Sequence, residues 1–117
     1  MPKKKGSRKK IVVATILVLI AAMGIIVWHD GVIGVTSIAD INAGNIDNGT
    51  AVTVKGELVF RAGNLHTVKS TAGDNIVIFE WAGSSPPLGS IVVVRGVVSS
   101  IGTLSDVTSV AVVWIVQ

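Results

Sequence analysis

The first part of the chain is dominated by one uninterrupted apolar run. Residues 11–28 read IVVATILVLIAAMGIIVW and contain neither a charged residue nor a proline. As a helix, a run of this length extends about 27 Å, which is enough to cross the hydrocarbon core of a bilayer. The run therefore predicts one transmembrane helix, with Trp28 at the membrane interface.

A cleavable signal peptide and an archaeal pilin-type signal are alternative interpretations of this run. A signal peptide has an apolar region of about 7–15 residues, with small residues at the cleavage site. Here Ala21 and Ala22 lie deep inside the apolar run. A pilin-type signal would use Lys5 and Gly6, but four polar residues separate that glycine from the run. We therefore expect an uncleaved anchor.

Residues 29–50 are predicted to form a juxtamembrane linker that contains a short helix. Ser37 is suited to cap a helical turn over residues 38–43, which Gly44 or Asn45 would end. From residue 51 the pattern changes to the alternation of a strand. In AVTVKGELVFR one face carries Val52, Val54, Leu58 and Phe60, and the other carries Thr53, Lys55, Glu57 and Arg61.

Four further strand-like runs follow, separated by turn-forming residues. They cover residues 65–70, 75–81, 90–100 and 109–117. Gly56 lies inside the first strand, and such a glycine is typical of a bend where one strand serves two sheets. The pattern predicts an all-β domain over residues 51–117, a five-stranded OB-type barrel, with a small sandwich as the alternative.

The formal net charge of +3 hides a strong asymmetry along the chain. Residues 1–10 form a basic tail with six cations, which are Lys3, Lys4, Lys5, Arg8, Lys9 and Lys10. From residue 11 onward four cations stand against seven anions, a net charge of −3. The positive-inside rule then places the N-terminus in the cytoplasm and the domain outside, in a single-pass protein of the cell membrane.

The residue types needed for catalysis or metal binding are sparse. The chain has no cysteine, and His29 and His66 are its two histidines, whereas a metal site needs three or four converging ligands. The carboxylates of the domain fall on separate predicted strands and turns, and no nucleophile–base motif is present. We therefore expect no enzyme, no catalytic residue and no metal site. Because the domain is acidic, we also expect no nucleic-acid partner.

One segment is a candidate for ligand contact. In FEWAG, Phe79 and Trp81 lie on one face of the third strand, immediately before a loop with two prolines. His66 lies on the neighbouring second strand. We predict a ligand-facing patch of Phe79, Trp81 and His66, with packing of these residues into the barrel mouth as the alternative.

Three segments resemble the CcmE family of cytochrome c maturation haem chaperones. They are TSIADI after the anchor, VTVKGELV in the first strand, and IFEWAGSSPPLGSIVVVRGVV across the third and fourth strands. The resemblance implies a cytoplasmic N-terminus, one membrane anchor and an exported OB barrel. Members of that family attach haem through a histidine after the last strand, near a tyrosine. This chain has no tyrosine, and the resemblance assigns no haem-attachment residue in it.

These observations favour a membrane-anchored, extracytoplasmic OB-fold module for binding or assembly, accessory to cytochrome or envelope-complex biogenesis. Its expected partners are the lipid bilayer and a protein, or further copies of itself. One alternative is a chaperone that handles haem noncovalently, which makes haem the one candidate cofactor; none is otherwise expected. The other alternative is a β-rich protein that self-associates into a surface layer or filament through its apolar fourth and fifth strands.

Overall fold

The computed structural model describes the backbone of residues 2–117 and the side chains of residues 9–117. In chain order its elements are α1 (Pro2–His29), α2 (Ile38–Asn42), β1 (Ala51–Ala62), β2 (Leu65–Lys69), β3 (Ile76–Glu80), β4 (Ile91–Ser100) and β5 (Thr103–Val112). A short helix and five strands therefore follow the first helix, as the sequence pattern predicts.

Helix α1 contains the apolar run. Its segment Lys9–His29 has a mean hydropathy of 2.9, is long enough to cross a membrane and is not buried against the rest of the protein. The helix begins at Pro2, so it extends N-terminally beyond the predicted span of 11–28. Of the six cations of the tail, Lys9 and Lys10 are exposed. The side chains of Lys3, Lys4, Lys5 and Arg8 lie outside the described residues.

The five strands close into one barrel in the order β1-β2-β3-β5-β4. Neighbouring strands are antiparallel except β3 and β5, which run parallel and share a single register pair, Ile78 with Thr103. A five-stranded barrel of this kind is typical of the OB fold. The predicted OB-type barrel is therefore confirmed, and the sandwich alternative is wrong.

The interior of the barrel is almost entirely aliphatic. Helix α2 adds Ile38 and Ile41 to the same core, and the side chain of Asn42 donates a hydrogen bond of 2.8 Å to the carbonyl oxygen of Ile76. Helix α2 therefore packs against β3 at one end of the barrel. The strands contribute Val52, Val54, Leu58, Val68, Val77, Phe79, Val92, Val94, Val98 and Leu104 to this core.

Strand β1 belongs to two ladders. Its first part pairs with β4 and its second part with β2, and Glu57 has a partner in both. Just before Glu57, a Cβ atom on Gly56 would lie 2.7 Å from Cγ1 of Val68 and would also collide with the carbonyl oxygen of Lys69. Gly56 thus lets two strands approach where β1 changes partner, which agrees with the prediction for this glycine.

The end of β1 differs from the sequence prediction. The register shifts between Leu58 and Phe60, so Val59 forms a bulge. An extra residue in a strand reverses the alternation of its faces beyond that point. As a result Phe60 does not join Val52 and Leu58 inside the barrel; half of its surface is exposed on the outside.

Strand β5 also differs, because it covers Thr103–Val112 and not the predicted 109–117. Its first half carries polar residues on both faces, which conceals a strand from the alternation pattern. Residues 114–116 do not continue the strand, since their backbone N–H groups donate hydrogen bonds to the carboxylate of Asp30. The carboxylate thus replaces a neighbouring strand as the acceptor.

Candidate functional site

One exposed apolar surface of the barrel is the outer face of β1, β2 and β3, here called the β1–β3 face. Its outward side chains are Phe60, Leu65, Thr67, Ile76 and Ile78. Phe60 is paired with Thr67, and Thr67 with Ile78, so these three residues form one row across the three strands. Phe60 is 50% exposed and Leu65 is 41% exposed. OB folds commonly bind ligands on this part of the barrel.

A cleft of about 470 Å³ borders the β1–β3 face between β3 and β5. The cleft exists because these two strands share one register pair and diverge on either side of it. Its apolar wall includes Leu65 and Ile78, and its polar lining consists of three hydroxyl residues and two carboxylates, namely Ser99, Thr103, Ser105, Glu80 and Asp106. The cleft can therefore offer hydrogen-bond acceptors and donors beside an apolar surface.

Asp106 has an unusual backbone conformation at the edge of this cleft. Its φ angle is 47°, in the left-handed region that residues other than glycine rarely adopt. Among non-glycine residues, aspartate tolerates this region better than most. The turn lies within β5, close to the place where the β4–β5 register shifts, and it makes Asp106 an exposed residue.

Charges of both signs surround the β1–β3 face. Glu57 and Lys69 are paired in the β1–β2 register, and Lys69 also lies 3.8 Å from the carboxylate of Asp74. Arg61 is exposed directly after Phe60. Ion pairs at exposed positions stabilise a fold by roughly 0–1 kcal/mol, so these charges contribute little to stability and are available to a partner.

The structure places two members of the predicted ligand-facing patch inside the barrel. His66 is fully buried and stacks on Phe79, with ring centroids 5.5 Å apart. The Nδ1 and Nε2 atoms of His66 lie 2.7 Å from the carbonyl oxygen of Asn64 and from Oγ of Ser85, respectively. His66 thus connects the β1–β2 turn to the β3–β4 loop, and a ligand would have to open the barrel mouth to reach either ring.

Trp81, the third member, is partly buried and packs against the core. Its indole Nε1 donates a hydrogen bond of 3.1 Å to the carbonyl oxygen of Ser84 within the same loop. The structure therefore brings Trp81 close to the loop and does not bring it together with the exposed residues of the β1–β3 face. A ligand-contacting role for the three rings stays a prediction.

Sequence reasoning missed Phe60 and Asp106 as surface residues. Phe60 reads as a core position because the bulge at Val59 has no signature of its own in a run of alternating apolar residues. Asp106 lies in a polar stretch with no strand pattern. The residue type, aspartate, was the one available hint of a left-handed backbone conformation. Among residues 9–117, no cluster of three or more His, Asp or Glu side chains is placed to hold a metal ion.

Comparison with known proteins gives a likeness at the level of structure. No family model matches the chain, and no curated protein matches it. The crystal structure of the telomere capping protein Ten1 from Saccharomyces pombe matches with a TM-score of 0.60 and 11% sequence identity, over 72% of this chain and 84% of that one. The S. pombe Stn1-Ten1 complex matches with the same TM-score and identity, over 72% of this chain and 79% of that one.

These comparisons correct two expectations from the sequence. An accessory function in cytochrome or envelope-complex biogenesis, with its haem-handling and filament alternatives, is the wrong expectation, because the matching structures are a telomere capping protein and its complex. Excluding nucleic acid as a partner is wrong for the same reason. The net charge of the whole domain does not describe one face, and the β1–β3 face carries Phe60 and Lys69 together.

The resemblance to the CcmE family stays a prediction. At 11% identity the structural likeness carries the fold and no more. What is established for this chain is therefore a five-stranded OB-like barrel that follows one long apolar helix.

Proposed function

We propose that the protein is a non-enzymatic OB-fold domain, tethered to a membrane by α1, that joins a complex by binding a partner protein through the β1–β3 face. The observation that carries the proposal is the row of Phe60, Thr67 and Ile78, which leaves an aromatic side chain half exposed on the outside of the β1–β2 ladder. Exposed apolar surface costs solvation free energy, and a partner that covers it removes that cost.

The composition of the face supports a protein partner. Interfaces between proteins have an apolar centre with aromatic residues and a polar rim. Here Phe60 and Ile78 form the centre, while Lys69 and Glu80 lie around it. The cleft beside β5 would receive a side chain of the partner, and its two carboxylates favour a basic one. One of the matching solved structures is itself a complex of two proteins.

The tether rests on the properties of α1. The helical segment Lys9–His29 has 21 residues, with no charged residue between Lys10 and Asp30, and is about as long as the hydrocarbon core is thick. Its exposed apolar side chains have no cover within the described protein, and a bilayer would provide one. The cations at its start favour a single-pass topology with the N-terminus in the cytoplasm and the barrel on the other side.

Site-specific photocrosslinking tests the partner. A photoreactive residue at Thr67 in the full chain should give a discrete adduct in membranes, and the adduct should disappear when Phe60→Ser is added. Thr108 is the matched control, since it is an exposed threonine on β5, across the barrel from β2. If Thr67 gives no adduct, or the same adducts as Thr108, the proposal is wrong.

Single-stranded nucleic acid is a second candidate ligand for the same face. An exposed aromatic residue beside a cation is the combination that OB folds use to stack bases and to neutralise phosphates, and Phe60 with Lys69 provides it. Titration of a fluorescent oligonucleotide with the purified full chain tests this candidate. Binding that weakens with salt and is lost in Phe60→Ala would favour it over the protein partner.

A further inference from the structure

Exposed apolar side chains cluster where α1 meets the barrel. We call them the membrane-proximal collar, defined as Trp28, Val32, Ile33, Trp114 and Ile115. Ile33 is 74% exposed, Ile115 67% and Trp114 57%, values more usual for surface charges than for large apolar residues. The collar combines the end of α1, the loop after it and the residues that follow β5, which are about 80 residues further along the chain.

Specific contacts hold the C-terminal part of the collar against the end of α1. The carboxylate of Asp30 is buried and accepts hydrogen bonds of 2.8, 2.9 and 2.8 Å from the backbone N–H groups of Trp114, Ile115 and Val116. The ring of His29 stacks on Trp114 with centroids 3.3 Å apart. Trp114 is therefore fixed at the level of the last helical turn.

The loop of the collar is fixed to the outside of the barrel. Val93 of β4 is fully buried although it lies outside the barrel core, because Gly31 and its neighbours cover it. A Cβ atom on Gly31 would lie 3.1 Å from Val93, and Val113 nearby is also buried. The apolar side chains of Val32 and Ile33 then remain on the outer side of this packed layer.

The length of α1 determines the depth of the collar. If Lys9–His29 crosses the membrane, its 21 residues extend about 31 Å, which places His29 at the boundary between hydrocarbon and headgroups. The ring that stacks on His29 must lie at the same depth. Tryptophan prefers this zone, because its apolar ring and its polar N–H group are both satisfied there.

Two cations complete the collar. The guanidinium of Arg95 lies 4.2 Å from the ring centroid of Trp28 and donates a hydrogen bond of 2.9 Å to its carbonyl oxygen. Lys55 donates a hydrogen bond to the carbonyl oxygen of Val116. Both cations lie next to apolar residues, on the part of the barrel that faces the helix end, and anionic headgroups would complement them.

From these contacts we infer that residues 114–116, together with Val32 and Ile33, insert into the headgroup boundary of the membrane as a second, interfacial contact beside α1. The inference rests on the proposed membrane tether. It assigns the exposed apolar side chains to a lipid surface, and it makes the barrel sit against the membrane in one orientation. The β1–β3 face, whose Phe60, Thr67 and Ile78 are not part of the collar, stays free for a partner.

Tryptophan quenching by brominated lipid tests the inference in the full chain. The sequence has three tryptophans, so three double Trp→Phe variants each keep one of Trp28, Trp81 and Trp114. Each is reconstituted in vesicles of phosphatidylcholine and phosphatidylglycerol, with bromine near the headgroup end of the acyl chains. We expect Trp114 to lose emission to an extent comparable to Trp28 and several-fold more than Trp81, which is bonded within its own loop.

The outcomes separate this inference from the tether. If Trp28 is quenched while Trp114 behaves like Trp81, the collar does not contact lipid, and the inference is overturned with the tether intact. If Trp28 is not quenched, both fail. If Trp114 is shielded from brominated lipid and from aqueous iodide alike, a protein such as a second copy covers the collar, which also overturns the inference.

Polar substitutions provide a second test that does not depend on the aromatic rings. In the variant that keeps Trp114, adding Ile33→Ser and Ile115→Ser should reduce its quenching, because the apolar surface that holds it in the lipid is lost. Ile101→Ser is the matched control, since Ile101 is 70% exposed in the β4–β5 turn. Equal quenching in the two backgrounds would contradict a lipid contact of the collar.

Discussion

The carboxylate of Asp30, immediately after the apolar helix, accepts a hydrogen bond of 2.8 Å from the backbone N–H group of Trp114, 84 residues further along the chain. Ile115 and Val116 donate to the same carboxylate, whose oxygens are thereby shared among three consecutive amides. His29 lies 3.1 Å from it as well. One aspartate thus joins the helix to the end of the barrel.

We expect Asp30→Asn to loosen this joint. Asparagine has one acceptor oxygen and one amide nitrogen, which is a donor. That nitrogen would face backbone N–H groups that in the native protein donate to a carboxylate oxygen, so donor would meet donor. Loss of charge-assisted hydrogen bonds should lower the Tm by roughly 5–10 °C and expose residues 113–117 to carboxypeptidase. Asp47→Asn, at an exposed turn, is the control. An unchanged Tm and digestion rate would show that the joint does not stabilise the domain.

The same contacts predict a dependence on pH. Burial alone would raise the pKa of Asp30, but the three backbone amides and His29 outweigh it and hold the pKa well below the ordinary value of 3.8. The stabilisation is therefore complete above that ordinary value and is lost as the pH falls further below it. Unfolding midpoints between pH 7 and pH 2 should show a fall below about pH 4 in the native chain that Asp30→Asn lacks. Unfolding midpoints that fall equally with pH in the native chain and in Asp30→Asn would contradict this dependence on Asp30.

Much of the fold could be predicted because periodicity reports burial. The helix α1 follows from an apolar run without a charge, and the strands follow from the alternation of valines with polar residues. The bend at Gly56 follows from a glycine inside such a strand. The bulge at Val59 and the early start of β5 could not be predicted, because a bulge depends on the partner strand and a polar strand has no alternation. The candidate site depends on the bulge at Val59, which turns Phe60 to the outside of the barrel. Without the bulge, simple alternation places Phe60 in the core.

Gly56→Ala should be strongly destabilising. The new methyl group would meet the carbonyl oxygen of Lys69 and Cγ1 of Val68, so β1 and β2 would have to separate where β1 changes partner. Overpacking of this kind costs about 1–3 kcal/mol. Gly73→Ala is a matched control, because its Cβ has one neighbour, at 3.8 Å. Chemical denaturation of both variants measures the difference, and equal stabilities would contradict the close approach.

Ser85→Ala tests the role of His66 in the barrel mouth. The variant leaves Nε2 of His66 buried without its partner Oγ, which should cost about 1–3 kcal/mol. Ser84→Ala, one residue earlier and exposed, should be nearly neutral, since Ser84 contacts Trp81 through its backbone oxygen. Hydrogen exchange at residues 64–66 should rise in the first variant and not in the second. Unchanged stability and hydrogen exchange in Ser85→Ala would show that Asn64 alone holds His66.

The absence of native cysteine makes the membrane topology directly measurable. We expect a membrane-impermeant maleimide to label Ser84→Cys on intact cells and to label Ser7→Cys after permeabilisation, because six cations precede the apolar run and hold the N-terminus in the cytoplasm. The opposite pattern would refute this topology. It would also place the β1–β3 face in the compartment that contains nucleic acid, and would make stacking of bases on Phe60 the better explanation of that exposed ring.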